Sequence, residues 1–160
     1  MTDVLPKTQI ERMEDALQAM MKEALDATFF VDIFPEDADK FDDAMHGRIA
    51  LLQYRGSTYA PTDGTGAATQ LRTASFVIHL IYNATAAGGS RPVKDIENLR
   101  LELQGQEILG GDIDLVRDGL IDQKAARRTY ILELRLAVPV VVQHRQPLAP
   151  LMTDFSRESA

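Results

Sequence analysis

The sequence predicts an α+β domain: a largely antiparallel mixed sheet of about four to five strands with two main helices, in the order α-β-β-β-α-β-β. Three observations carry this. A capped amphipathic pattern opens the chain, two long stretches alternate apolar and polar residues with a period of two, and a second helical pattern separates those stretches. At 160 residues, the chain is long enough to bury a real core as one domain.

The first helix is expected over roughly 8–27. Thr8 and Glu11 have capping-box spacing, in which the hydroxyl accepts the Glu11 N–H and the carboxylate reaches back. Ile10, Met13, Leu17, Met20, Met21 and Leu25 follow at steps of three or four. This Met-rich stripe suits a flexible partner surface, but at helical spacing it is read first as the face packed on the core. "TFFVDIF" (28–34) is a short β-prone stretch stopped by Pro35, and "PEDADKFDDAMHG" is an acidic loop or short helical turn.

"RIALLQYR" (48–55) is the second strand, and its near-continuous apolar content suggests cover on both faces. The segment 60–69 is a polar loop, with "YRGSTY" as the turn leading into it. "LRTASFVIHLIYN" (71–83) is the longest strand, with Ala74, Phe76, Ile78, Leu80 and Tyr82 on one face and Val77, His79 and Ile81 on the other. Ser90 and Pro92 suit the start of a second helix marked by Val93, Ile96, Leu99 and Leu103 and ending before Gly105. The segment 110–128 should hold a fourth strand, with Asp118-Gly119 as a hairpin turn or a bulge. "TYILELRLAVPVVVQH" (129–144) is a fifth, and Pro139 places its end at an edge or bend. Residues 1–145 read as one domain and 146–160 as an extension, in which Leu148, Leu151, Met152 and Phe155 could dock on a partner.

Composition excludes several classes. Hydrophobic residues make up 45% and charged residues 26%, which is globular rather than disordered. The longest apolar run, 137–142, is far below the ~20 residues that cross a bilayer, and "MTDVLPKTQIERMEDAL" has no secretory pattern. No membrane association is expected. The absence of cysteine removes disulfides and thiolate metal sites and suits a reducing cytosol. A net charge of −7 and pI ≈ 4.9 argue against broad adhesion to nucleic acid, although the same acidity also serves plain solubility.

Catalytic patterns are missing. His46, His79 and His144 have no ligand spacing, and His79 reads as a buried or half-buried strand residue. "DADKFD" (37–42) departs from a calcium loop at Phe41, Asp42 and Arg48. "GTGAAT" (64–69) precedes a strand instead of a helix. Gly105 and Gly110 are followed by Gly111 and Asp112 where a phosphate loop needs Lys and Ser/Thr. No serine lies in G-x-S-x-G. The expectation is a protein that is not an enzyme and has no cofactor or metal.

The chain resembles the Mu-like phage tail-terminator family. The likeness rests on the N-terminal helix, "FPEDADKF" with Phe34, Pro35, Asp37 and Phe41, and "LLQYRGSTY" with Tyr54, Gly56, Ser57 and Tyr59. Gln70 opening the long strand through Phe76, "LRLELQG" with Leu99, Leu103 and Gly105, and an aromatic-led last strand complete it. It covers about 8–143, and its motifs are structural rather than catalytic. The resemblance implies a lambda-type terminator fold and a hexameric ring closing the head-proximal end of a tail, which in a Mu-like context is contractile. Implied partners are further copies, tail tube and sheath proteins, and neck or connector proteins. Such a chain is assembled in the host cytoplasm and resides in the virion.

Within that frame Tyr54, Arg55, Ser57 and Tyr59 are interface candidates, because Tyr and Arg are enriched at hot spots. The alternative is that both tyrosines plug the sheet end of their own subunit, a reading that weighs as much as the interface for Tyr54 and less for Tyr59. Glu36, Asp37, Asp39, Asp42 and Asp43, or the 112–122 segment, would line the lumen and repel passing DNA without binding it, or else lie on the outer rim. Alternatives are another neck, connector or tail-completion ring protein, or a cytosolic small-ligand-binding α+β domain with a deep apolar pocket.

Overall fold

A computed structural model describes residues 6–37, 41, 46–61, 69–83, 91–124 and 126–141. Helix α1 spans Gln9–Ala24, β1 Phe29–Ile33, β2 Arg48–Tyr59, β3 Thr69–Asn83, α2 Pro92–Leu103, β4 Glu107–Ile108, β5 Gly111–Lys124 and β6 Arg127–Val141. The strands form one curled mixed sheet in the order β1-β2-β3-β6-β5-β4. The α+β class is as expected, with six strands in place of four to five.

The capping box forms as the spacing predicts. The Glu11 N–H donates to Thr8 Oγ1 at 3.2 Å and the Thr8 N–H to Glu11 Oε2 at 2.6 Å. Met13, Leu17 and Met21 are wholly buried, so the methionine stripe is a core face; each such side chain contributes roughly 1.5–3 kcal/mol. They meet Ala50, Leu52, Phe76, Ile78 and Leu80 of the sheet and Leu99 and Leu103 of α2 in one cluster. Asp95, in the first turn of α2, accepts a 2.9 Å hydrogen bond from the Tyr82 hydroxyl, with both residues buried. Burial, first, and this carboxylate raise the Tyr82 pKa strongly.

The structure corrects the sequence reading in several places. The first two strands pair in parallel, Phe29↔Arg48 through Ile33↔Leu52, where antiparallel neighbours were expected. The chain leaves the far end of β1 and must cross back, and a crossover of that length needs about a dozen residues. Its Phe34 and Phe41, together with Phe30 of β1, pack on Ile49, Leu51 and Ile81 on the sheet face opposite the helices. "YRGSTY" is not a turn but the second half of β2, which pairs with β3 as far as Tyr59↔Arg72. Asp118-Gly119 is no hairpin either: β5 continues through it, with irregularities between Leu115 and Arg117 and between Leu120 and Asp122.

Pro139 behaves as expected. Pairing of β6 with β5 begins only at Ile113↔Leu136, so Pro139 has a ladder partner, Leu71, on the β3 side alone. The short β4 was not anticipated. Leu109 (φ 52°) and Gly110 (φ 81°) make a two-residue turn between Ile108 and Gly111, the positive-φ pair that tight hairpins use.

Candidate subunit interface

The distal half of β2 owes its shape to one extra residue. Tyr54 pairs with Phe76 and Gly56 with Ser75, leaving Arg55 as the bulged residue beside Gly56 at φ 122°. Residues three apart in a regular strand face opposite ways. Here the bulge returns Ser57 to the helix side, where its Oγ lies 2.7 Å from the Tyr54 hydroxyl.

Arg72, across the ladder, organises this end of the sheet. It donates to Ser57 Oγ at 2.9 Å, Tyr54 Oη at 3.2 Å and Gln9 Oε1 of α1 at 3.3 Å. Its guanidinium also lies 5.6 Å from the Tyr59 ring centroid, within cation–π range. Gln9 in turn donates to the Pro139 carbonyl at 3.3 Å, joining α1, β2, β3 and β6. Tyr54 is half-buried against Phe76, whereas Tyr59 is 52% exposed. Leu71 and Val141 at the same sheet end are exposed as well. Leu71↔Pro139 and Thr69↔Val141 are cross-strand pairs, so Leu71, Pro139 and Val141 share a face and form an apolar rim, while Tyr59, the ladder partner of Arg72, lies on the other face of the same sheet end.

The face opposite the helices has a different character beyond the crossover aromatics. A shallow groove of ≈ 170 Å³ is lined by Arg55, Ser75, Val77, Val116, Glu133 and Arg135, among others. Arg117 donates to Glu133 at 2.7 Å. That hydrogen bond chiefly lowers the Glu133 pKa, and Arg55 and Arg135 add to the effect. His79 lies on the same face, its Nε2 3.0 Å from Gln53 Oε1 and its ring 5.1 Å from that of Phe34. Burial, then the Arg55 charge, lower its pKa. It is the half-buried strand residue the alternation predicts.

The remaining candidates are more scattered. Glu36 and Asp37 are exposed after β1, while Asp39, Asp42 and Asp43 lie outside the described residues. So do Leu148, Leu151, Met152 and Phe155, and most of the 60–69 loop. Among the described residues no group of His, Asp and Glu is placed to hold a metal ion, and no helix is long and apolar enough to cross a membrane. A polar cleft of ≈ 630 Å³ runs between the end of α1 and the start of α2, with Asp26, Arg48, Arg91, Lys94 and Asp95 in its walls. Asp26 and Arg48 form an ion pair there at 3.1 Å.

Sequence reasoning passed over Arg72, Arg117, Glu133 and Arg135. Their one signal was charge placed within strongly alternating strands, as in "ELR" (133–135). No curated protein matches the chain. The Gp37 protein family does, over residues 17–159, a span that includes the C-terminal segment. The chain belongs to the Gp37 family, which is phage-associated.

Proposed function

We propose that this chain is a non-enzymatic virion subunit, a tail terminator whose copies form a ring on the head-proximal end of a phage tail. The observation that carries this reading is the uncovered apolar rim of Leu71, Pro139 and Val141 at one end of the sheet, with exposed Tyr59 on the other face of the same end, in a chain of a phage-associated family. Contiguous exposed apolar surface of this kind marks a protein contact. Stopping a polymer requires only a surface that matches the growing end on one side and not on the other. A head-to-tail contact that closes on itself supplies the ring.

In this reading the rim and the C-terminal segment, with Leu148, Leu151, Met152 and Phe155, meet the tube, the last sheath layer of a contractile tail, or the next subunit. The opposite surface of the ring receives the neck. The arrangement around Arg72 fixes the rim by tying β2 and β3 to α1 and β6. Six copies, each at −7, leave DNA free to pass because phosphate is repelled rather than held. The test is genetic. Phage lacking this chain should accumulate tails of uncontrolled length that do not join heads, and supplying the chain should restore normal length. Tails of normal length without it would refute the terminator role.

A further inference from the structure

Arg72 carries a charge that no carboxylate balances among the described residues. Its Nε, Nη1 and Nη2 each donate once, to Ser57, Gln9 and Tyr54, and all three acceptors are neutral oxygens. Nη1 and Nη2 each keep a second N–H. The guanidinium is half-buried, where an unmatched charge is costly. Side chains of α1 and β2 already hold it in place, so little freedom is left to lose on meeting a partner. Beside it stands the Tyr59 ring, 5.6 Å from the guanidinium and 52% exposed. A fixed cation next to an open aromatic ring fits a carboxylate flanked by an aliphatic side chain.

The far side of the sheet offers that combination. Asp118 pairs with Leu132 and Leu120 with Tyr130, so both project on the helix side, as Arg72 and Tyr59 do. Asp118 is exposed and has no cation partner among the described residues, and Leu120 is 46% exposed. Here β5 is an edge among the described residues, because β4 pairs only with Gly111 and Asp112. The two pairs cannot meet within one subunit. Arg72 lies opposite Val138 and Asp118 opposite Leu132, which is six residues along β6, or about 20 Å. That exceeds the joint reach of the two side chains. Complementary surfaces separated in this way give a head-to-tail contact, the kind that passes from copy to copy and can close a ring.

We propose that Arg72 and Tyr59 of one copy receive Asp118 and Leu120 of the next, the guanidinium pairing with the carboxylate and the tyrosine ring packing on the leucine. The proposal rests on the ring reading and assigns Asp118 to the contact between copies rather than to the lumen. Burial of the ring and the leucine supplies affinity. The ion pair is partly exposed, so it sets register and is weakened by salt.

The chain has no cysteine, so disulfide trapping tests the contact directly. Tyr59→Cys and Leu120→Cys are made singly and together, and both purified chains and tails from complemented cells are oxidised. Tyr59 lies in line with Val138 through Arg72, and Leu120 lies opposite Tyr130. Within a subunit the two positions are therefore about 26 Å apart along the strands, far beyond the ~7 Å between Cα atoms that a disulfide allows. The double variant should give covalent oligomers up to the full ring, an equimolar mixture of the single variants dimers only, and each single variant no covalent oligomer. Adding Asp118→Arg to the double variant should cut the yield about tenfold or more, because like charges then face each other. Chains that oligomerise in sedimentation, or sit on tails, without forming these bonds would overturn the proposal and leave the ring reading intact. Bonding in the Tyr59→Cys variant alone would place Tyr59 against its own copy and overturn it too. A yield indifferent to Asp118→Arg would remove the Arg72–Asp118 pair. A wild-type chain that is monomeric in solution and absent from tails would remove the ring reading itself and the proposal with it. Matching circular dichroism spectra and melting temperatures establish that the variants fold.

Discussion

Replacing Gly111 with alanine should be among the most damaging single-methyl additions in this protein, because of where β5 crosses β6. A Cβ at residue 111 would lie 2.0 Å from the Ala137 carbonyl oxygen and 2.8 Å from both the Ala137 carbonyl carbon and Val138 Cγ1. These distances fall well inside the 3.0 Å below which real Cβ contacts essentially do not occur. Two of the three atoms are backbone, in a strand held by β3 along its length, so no side chain can swing away. Relief requires β5 to lift, which strains the Ile113 N–H bond to Gln106 and the Gly105 N–H bond to Ile113. Overpacking costs about 1–3 kcal/mol where side chains can adjust. A backbone clash in the centre of a fold belongs at or above the top of that range, about 3 kcal/mol. For a chain of this size this lowers the melting temperature by about 6–12 °C. Gly119→Ala is the internal control, since nothing lies within 4 Å of its added methyl. It should be neutral or stabilise by up to about 1 kcal/mol. Thermal unfolding followed by circular dichroism reads both. A Gly111→Ala protein melting within 2 °C of wild type would mean that β5 and β6 do not approach as described.

Three further outcomes follow from the same geometry. Tyr82→Phe removes the donor to buried Asp95 and should cost about 1.5–3 kcal/mol in urea unfolding; a loss below about 0.5 kcal/mol would show that Asp95 has another source of support. His79 has a lowered pKa when folded, so the unfolded chain takes up the proton first as pH falls. Its contribution is complete above the unfolded value near 6.5 and is lost as pH drops through the folded one. Stability measured from pH 7.5 to 5 should decline less in His79→Gln than in wild type, and parallel curves would contradict the assigned burial. Tyr59→Ala should leave the melting temperature nearly unchanged, since half of the ring is already in solvent, yet impair tail completion in complementation. Normal tails from that variant would take Tyr59 out of the assembly surface.

The legible parts of the fold were those written in local chemistry. The Thr8–Glu11 box, the α1 stripe and the alternation of β3 each follow from contacts within a few residues or from a single period. What stayed hidden depended on partners distant in sequence. Parallel pairing of β1 with β2 has no marker within "FFVDI", because it is decided by how the crossover packs Phe34 and Phe41 on Ile49 and Leu51. The β4–β5 turn escaped because Leu109 at positive φ is an expensive choice that no turn signature contains. "YRGSTY" has the composition of a turn, but Gly56 serves a bulge. Tyr54 and Ser57 are polar because Arg72, reached through ladder register alone, must be satisfied beside the core. The arginine groove was invisible for the same reason: Arg55, Arg117 and Arg135 come from three strands and meet only once the sheet has formed.

The central claim is positional and is answered most directly by electron microscopy of purified tails, with classification focused on the head-proximal end. The account predicts one ring of these chains between the last tube disc and the neck, with Tyr59 and the apolar rim of Leu71, Pro139 and Val141 at that end of the sheet in contact. Tails that are complete and correctly capped there by some other protein, with this chain found elsewhere in the particle or absent from it, would contradict it.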